Sequence, residues 1–231
     1  MFRSLFLGVS ALLLTGTATA DPAWPEMFRK AVSVPDGFEA PVLAYDYVFA
    51  TPAGKELARI AYDGSAAPDE QFKFLFVDKS MAGRRGEMLS NASTAPEEIW
   101  CDDIADTVKG GVKTLADENG MSVFTYTPTD DEIGTYERKA LERTEARMLV
   151  DKVSGKPAAI SYKLEKPYSP ILFLAKVNDF FVSAECKATP VGRPYRSRVE
   201  MMFDVTIMGD NEREHTVERI ENLRFPGLEL P

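Results

Sequence analysis

The chain has 231 residues, of which 27 are Lys or Arg and 36 are Asp or Glu, so its formal net charge at pH 7 is −9. Hydrophobic residues make up 45% and charged residues 27%, a balance that excludes a wholly disordered chain. The acidic charge argues against a nucleic-acid partner, which would require a basic surface. One histidine and two cysteines are too few for a His/Cys metal site, so we expect no metal and no cofactor.

The first twenty residues have the layout of a secretory signal peptide. Arg3 provides a positive charge, residues 5–14 are mostly apolar, and Ala18 and Ala20 are small residues placed as before a cleavage site. The apolar run is roughly ten residues long, whereas a membrane-spanning helix needs about 20, so a retained anchor is the less favoured alternative. We therefore expect export to the periplasm, cleavage before Asp21 and no membrane-spanning segment in the mature chain.

The first third of the mature sequence alternates between apolar and polar residues, which is typical of half-buried β-strands. A short helix at residues 25–31 is expected to precede them. The alternation covers residues 45–49, 57–62 and 72–76, and residues 51–54 form a Pro- and Gly-containing turn between the first two runs. Three aromatic-rich strands in succession predict an antiparallel meander.

A helix is expected in the middle of the chain, near residues 95–109. Thr94 and Glu97 fit a capping box at its start, and Gly110-Gly111 fits a C-terminal stop. Apolar side chains recur at intervals of about four residues and would lie on one face of this helix. They are Trp100, Cys101, Ile104 and Val108.

Strand patterns resume at residue 121 and continue almost to the end of the chain. The clearest is the hairpin of residues 147–164, in which a Ser-Gly turn joins two extended runs. Alternating runs also cover residues 121–127, 180–186 and 199–207. Residues 215–222 are interpreted as a closing strand, although their apolar spacing also suits a helix.

These elements predict a mainly β fold of the α+β class. About nine strands would form a curved antiparallel sheet, or an open half-barrel, packed on one central helix. No linker-like tract or internal repeat interrupts residues 21–231, so a single antiparallel β domain is the economical interpretation. A break in the charged stretch of residues 128–143 is the alternative.

The two cysteines, Cys101 and Cys186, leave no thiol over, and an even count in an exported protein favours a disulfide. Both lie on predicted inward faces, so the bond would join the helix to the sheet. Closing a loop of about 85 residues would stabilise the fold by on the order of 4–5 kcal/mol. Two buried free thiols are the alternative.

No sequence pattern indicates an enzyme active site. His215 is the only histidine and lies in a charged run, and the mature chain has no Gly-x-Ser-x-Gly elbow that could provide its nucleophile. Acidic groups such as Asp102 and Asp106 are typical of a solvated surface, although glycosidases also use paired carboxylates. We therefore expect a non-enzymatic protein without catalytic residues, and a carboxylate-based hydrolase is the third choice.

The large apolar side chains on the alternating positions have two interpretations. They form either an ordinary solid core or the lining of an apolar cavity between sheet and helix. Arginines in two basic clusters either balance nearby acids or bind the phosphate or carboxylate of a ligand head group. The head-group candidates are Arg84, Arg85, Arg193 and Arg196. The cavity candidates are Tyr47, Phe49, Phe72, Phe74, Phe76, Trp100, Ile104, Phe180, Met201 and Phe203.

The hairpin LVDKVSGKPAAISYKL (residues 149–164), together with the signal peptide, the long series of strands and the intervening helix, resembles the periplasmic lipoprotein-carrier (Lol-type) superfamily. The resemblance implies an unclosed β-barrel in which helices plug an apolar cavity for acyl chains. It transfers no functional residue to this chain and does not include the cysteines. The expected function is therefore binding of an apolar ligand, such as a lipid, or of an acylated protein in the bacterial envelope. A β-rich scaffold or adaptor that binds another envelope protein is the alternative.

Overall fold

The computed structural model describes residues 21–35, 38–128, 142–171 and 175–228. The expected signal peptide lies outside the described residues, as does most of the charged stretch at 128–143. The helices in the described ranges are α1 (Glu26–Ala31) and α2 (Arg85–Glu98), with 3-10 helices at Lys79–Arg84 and Ala105–Thr107. The strands are β1 (Ala44–Ala50), β2 (Glu56–Asp63), β3 (Phe72–Val77), β4 (Val108–Thr114), β5 (Met121–Pro128), β6 (Thr144–Asp151), β7 (Pro157–Leu164), β8 (Tyr168–Ile171), β9 (Ala175–Lys187), β10 (Tyr195–Ile207) and β11 (Asp210–Arg224).

All eleven of these strands belong to one antiparallel sheet, which does not close. The strand order is β3-β2-β1-β11-β10-β9-β7-β6-β5-β4, and β8 pairs with β9 beside this path. The mainly β antiparallel fold and the N-terminal meander are confirmed. Two strands exceed the expected nine: β4 contains Gly110-Gly111 and β8 contains Pro170, residues that interrupt an alternating pattern.

The last strand settles the ambiguity of residues 215–222. β11 pairs with β10 on one side and with β1 on the other. A helix in this place would leave the facing edges of both neighbours without hydrogen-bond partners, so the sheet selects the extended form. The return of β11 to β1 joins the N-terminal meander to the C-terminal strands.

The central helix lies earlier in the chain than the sequence pattern predicts. α2 ends at Glu98, so the helix expected near residues 95–109 is wrong. Thr94, the expected cap, lies inside α2, where its hydroxyl donates to the Asn91 carbonyl at 3.0 Å. α2 also contains Pro96 in its last turns.

The segment after α2 is held by hydrogen bonds to β10 instead of α-helical bonds. The amide of Cys101 donates to the Pro194 carbonyl at 2.9 Å, and the amide of Arg196 donates to the Ile99 carbonyl at 2.8 Å. Such long-range pairing satisfies the backbone without helical i→i−4 bonds. The regular spacing of the apolar residues that begins at Trp100 therefore reflects their burial in an irregular segment. These residues do not form one face of a helix.

One cross-strand row of side chains defines the face of the sheet that the helices cover, here called the inner face. Paired residues of antiparallel strands project to the same side. α1 packs at one end of the row, where the Phe28 and Phe124 ring centroids are 5.5 Å apart. α2 packs at the other end, where Met88 shares a buried cluster with Phe49. The row is Phe124, Met148, Ile160, Ala184, Val199, Glu218, Phe49, Ala58 and Val77.

The expected disulfide is confirmed. Cys101 and Cys186 are bonded, with their Cα atoms 6.2 Å apart. The bond joins the irregular segment after α2 to β9, so it fixes that segment, and not a helix, on the inner face. None of the helices that the structure describes is both long and apolar enough to cross a membrane.

Candidate functional site

A partly open groove lies between the last turns of α2 and the middle of the inner face. Its volume is about 120 Å³, well above the roughly 10–15 Å³ that one buried water needs. Apolar side chains make up most of its wall. They are Ala95, Ile99, Pro128, Ile160, Phe180, Val182, Ala184, Val199, Met201 and Ile220.

Arg196 enters this groove because of a β-bulge. In β10 the alternation that places Val199 on the inner face would place Ser197 there and turn Arg196 outward. The pairing with β9 skips Ser197 instead, so Arg196 stands opposite Cys186 on the inner face. A bulge of this kind re-aims a side chain. The Ser197 hydroxyl donates to the Glu185 carbonyl at 3.2 Å.

The Arg196 guanidinium makes no hydrogen bond and no ion pair with any described residue. Burial lowers its pKa, and this effect is opposed by the nearby Tyr162, Glu98, Asp103 and Tyr126. The other arginine at the groove is different, because Arg219 donates to Glu221 at 2.9 Å. Arg196 is therefore positioned to accept a ligand anion without breaking a bond within this part of the chain.

Glu218 is the only charged residue in the cross-strand row. It is 8% exposed, and the Tyr47 hydroxyl donates to its Oε2 at 2.5 Å. Burial raises the pKa of Glu218 to about 7, although the Tyr47 hydrogen bond lowers it in part. Close to neutral pH this carboxyl therefore exists in both protonated and ionised forms.

Glu98 brings a second carboxyl to the groove from the last residue of α2. Burial raises its pKa to about 7; Arg196 opposes this shift, and the negative charges of Glu218 and Glu97 add to it. The groove thus combines one unpaired guanidinium with two glutamates that change charge near pH 7. Apolar walls strengthen the electrostatic coupling between these groups because they keep the local dielectric low.

A second groove adjoins the first one and shares Asn91, Met201 and Glu218 with it. Its volume is about 100 Å³. Its polar rim is already paired, since Arg84 bonds Glu87 and also Glu214, the latter at 2.9 Å. The second groove can therefore extend the apolar space of the first. Its arginine, Arg84, already forms ion pairs within the chain.

Five of the ten cavity candidates line these grooves. Tyr47 and Phe180 line the first, Phe49 and Phe203 line the second, and Met201 lines both. The remaining candidates lie elsewhere on the sheet or in the packed core. They are Phe72, Phe74, Phe76, Trp100 and Ile104.

Phe76 lies outside the core because β3 contains a bulge. Ile60 pairs with Phe74 and Arg59 pairs with Phe76, so Leu75 is the extra residue. Phe76 consequently shares the outer face with Arg59 and is 43% exposed. Strict alternation would have kept it inside.

Trp100 and Ile104 are buried in two different clusters of the core. The Phe38 ring packs edge-on against Trp100 at 5.8 Å. Phe72 and Phe74 are partly buried against the cluster beneath α2. These four residues therefore support the solid-core interpretation for their part of the chain.

Three of the four head-group candidates are engaged in contacts within the chain. Arg193 is 3% exposed and bonds both carboxylate oxygens of Asp102, with a closest distance of 2.6 Å. Its guanidinium also lies 4.8 Å from the Trp100 ring centroid. Arg85 lies over the Phe74 ring at 5.2 Å, and Arg84 forms the ion pairs described above. Of the four, Arg196 is the one that faces the apolar groove without a partner.

Glu98 and Glu218 are the site residues that sequence analysis missed. Glu98 was placed inside the expected helix, and Glu218 lay in the strand of uncertain type. Within the described residues, no three His, Cys, Asp or Glu side chains are grouped to hold a metal ion. No protein-family model matches the chain, and no match is found among curated proteins or among solved structures.

Proposed function

We propose that this protein is a non-enzymatic binding protein for a small amphipathic ligand, whose apolar part occupies the groove between α2 and the sheet. One observation carries the proposal: a β-bulge directs Arg196, which lacks a partner among the described residues, into a groove with mostly apolar walls. Apolar walls bind the ligand by removing its surface from water, at about 25 cal/mol per Å². Arg196 orients the ligand within the groove.

The volumes limit the size of the ligand. The two grooves hold about 120 and 100 Å³, whereas pockets for drug-sized molecules hold about 300–1,000 Å³. A short amphiphile, or one end of an acyl chain, fits this space. A whole acyl chain would require the helix to move away from the sheet.

The location and the physiological partner belong to the same proposal. The sequence of the first twenty residues supports export to the periplasm. An unclosed antiparallel sheet covered by helices on one face is also what the resemblance to lipoprotein carriers implies. A lipid or an acylated envelope protein is accordingly the proposed source of the apolar chain.

The first test fills the groove. Val199→Phe places a larger side chain in the groove wall, and Val153→Phe makes the same change at a turn residue that is 97% exposed. We expect Val199→Phe to reduce uptake of hexanol at least tenfold, and Val153→Phe to leave it unchanged. Thermal unfolding of both variants separates loss of binding from loss of structure.

Native mass spectrometry of the purified mature protein, followed by organic extraction, identifies the ligand class. A stoichiometric amphiphile would support the proposal. A clean apo mass together with no uptake of hexanol would exclude it and favour the adaptor function. Leu75 and Phe76, which are 53% and 43% exposed on the edge strand β3, would then be the surface to test for a protein partner.

A carboxylate-based hydrolase is the second candidate, and one observation favours it. Glu98 and Glu218 face the same groove, and burial raises the pKa of each to about 7, which suits general acid–base chemistry at neutral pH. Hydrolysis of chromogenic esters or glycosides that Glu218→Gln abolishes would establish this function. Equal background rates in the wild type and in Glu218→Gln would exclude it for those substrates.

A further inference from the structure

We propose, on the basis of the proposed function, that the ligand is an alkyl monocarboxylate whose head group pairs with Arg196, and that its binding takes up a proton at Glu98 or Glu218. The apolar walls define the alkyl part, and the arginine defines the anion. The two glutamates make the affinity for this ligand depend on pH. No covalent step is involved, because the proton comes from solvent.

The charge count of the groove favours a monoanion. Arg196 provides one positive charge, and the bulge at Ser197 fixes it on the inner face. A planar carboxylate accepts two parallel hydrogen bonds from a guanidinium. A phosphate monoester carries about −1.5 to −2 at pH 7 and would face Glu98 and Glu218 with only one cation to compensate it.

The charged and titratable groups around Arg196 come from four parts of the chain. Glu98 belongs to α2, Asp103 to the irregular segment, Tyr126 to β5 and Tyr162 to β7. Burial raises the pKa of Tyr126 well above its ordinary value, and the acids decide the charge around Arg196. Asp103 is also close to Arg193, which lowers its pKa, but burial raises it overall.

The two glutamates have few other neighbours that could fix their charge. The pKa of Glu98 is lowered by Arg196 and raised by Glu218 and Glu97. Glu218 accepts a hydrogen bond from Tyr47, and its pKa is set by burial and by that bond. Either carboxyl can therefore become neutral when a second anion enters the groove. A neutral carboxyl can in turn donate a hydrogen bond to that anion.

The sign of the pH dependence follows from these charges. An alkyl carboxylate ionises near pH 4–5, like a glutamate side chain, so it is an anion at pH 6 while the two glutamates are mostly protonated. At pH 8 both glutamates are ionised: Glu98 competes with the ligand for Arg196, and Glu218 adds a second negative charge to the groove. Affinity should therefore be highest between about pH 5 and 7 and decrease above that range.

Three probes of equal chain length test the inference on the full mature chain: hexanoate, hexanol and hexylammonium. Isothermal titration calorimetry at pH 6 should show hexanoate binding at least tenfold tighter than hexylammonium. From pH 6 to pH 8 the hexanoate Kd should rise about tenfold, as expected for one coupled proton with a midpoint near pH 7. Titrations in two buffers of different ionisation enthalpy should show uptake of about half a proton at pH 7 and close to one proton at pH 8.

Variants assign the effect to residues. Arg196→Gln should weaken hexanoate at least tenfold and leave hexanol nearly unchanged, whereas Arg213→Gln, at an exposed position of β11, should change neither. Glu98→Gln or Glu218→Gln should reduce the dependence of the hexanoate Kd on pH. Two alternative glutamate variants keep the test valid if one of them fails to fold.

The outcomes separate this inference from the function on which it rests. Failure of all three probes to bind would overturn both. Hexanol binding as tightly as hexanoate, or a pH-independent hexanoate Kd, would overturn the inference and leave an apolar groove. Hexyl phosphate binding more tightly than hexanoate would overturn the assignment to a monocarboxylate.

Discussion

The Tyr47 hydroxyl donates a 2.5 Å hydrogen bond to the Glu218 carboxylate and thereby ties β1 to the neighbouring strand β11 on the inner face. This bond holds a carboxyl in the middle of an otherwise apolar row. It also lowers the pKa of Glu218, although burial dominates and keeps that pKa at about 7.

Tyr47→Phe should therefore raise the pKa of Glu218 above 7, because the ionised carboxylate loses its donor while the site stays buried. Carbon-13 NMR titration of the Glu218 carboxyl measures this directly. Tyr45→Phe is the matched control, since the Tyr45 hydroxyl is buried but has no hydrogen-bond partner. An unchanged or lower pKa in Tyr47→Phe would show that the hydrogen bond does not stabilise the ionised form.

The same residue makes protein stability depend on pH. Folded Glu218 keeps its proton to about pH 7, whereas the unfolded chain releases it near its ordinary pKa of about 4.3. The folded state binds more protons between these values, so the free energy of unfolding decreases as pH rises through this range. A shift of this size corresponds to on the order of 3 kcal/mol.

Glu218→Gln should remove the Glu218 contribution and leave that of Glu98, whose pKa is also raised to about 7; denaturant unfolding at pH 5 and pH 8 measures the difference. Glu212→Gln, at an exposed position of the same strand, should retain the wild-type dependence. Below pH 4 the trend reverses, because carboxylates such as Asp63 and Asp151 have lowered pKa values through hydrogen bonds to Ser65 and Ser154. A wild-type stability that rises between pH 5 and pH 8 would contradict the assignment.

Strand periodicity could be predicted from the sequence because each half-buried strand carries its own pattern. The pairing register of β10 with β11 could also be predicted from the sequence. Their two-residue turn at Met208-Gly209 pairs Ile207 with Asp210, and counting outward from it places Val199 opposite Glu218. A charged residue on the inner face could therefore have been identified from the turn.

Bulges and the helix position could not be predicted in the same way. The bulges at Leu75 and Ser197 reverse the alternation locally, and nothing in the residues themselves marks them. The residues after α2 follow bonds to β10 that join distant parts of the chain. Their four-residue spacing resembles that of an α-helix because burial selects apolar side chains there, although the segment does not form an α-helix.

The disulfide should contribute substantially to stability. Cys101 and Cys186 close a loop with a sequence separation of 85 residues, which corresponds to on the order of 4–5 kcal/mol in the chain-entropy estimate. Replacing both cysteines by alanine should lower the free energy of unfolding by about that amount and lower the melting temperature. A reducing agent should affect the wild type in the same direction and leave the double variant unchanged. Equal stability with and without the bond would show that the segment after α2 is held by packing alone.

Substitutions of Arg193 and Arg196, which are only three positions apart, should have opposite effects on protein stability and on ligand affinity. Arg193→Ala leaves Asp102, which is 0% exposed, without its ion-pair partner, and breaking a buried pair in this way costs about 3–5 kcal/mol. Arg196→Gln breaks no hydrogen bond or ion pair in the described part of the chain, so its stability should change by less than about 1 kcal/mol.

Ligand affinity should show the reverse order. Hexanoate binding should weaken at least tenfold in Arg196→Gln and be retained in Arg193→Ala at temperatures where that variant remains folded. Denaturant unfolding and calorimetry on the same two preparations measure both quantities. If Arg193→Ala lost hexanoate affinity while its circular dichroism stayed native, the anion would have to bind at Arg193, and Arg196 would not be the head-group residue.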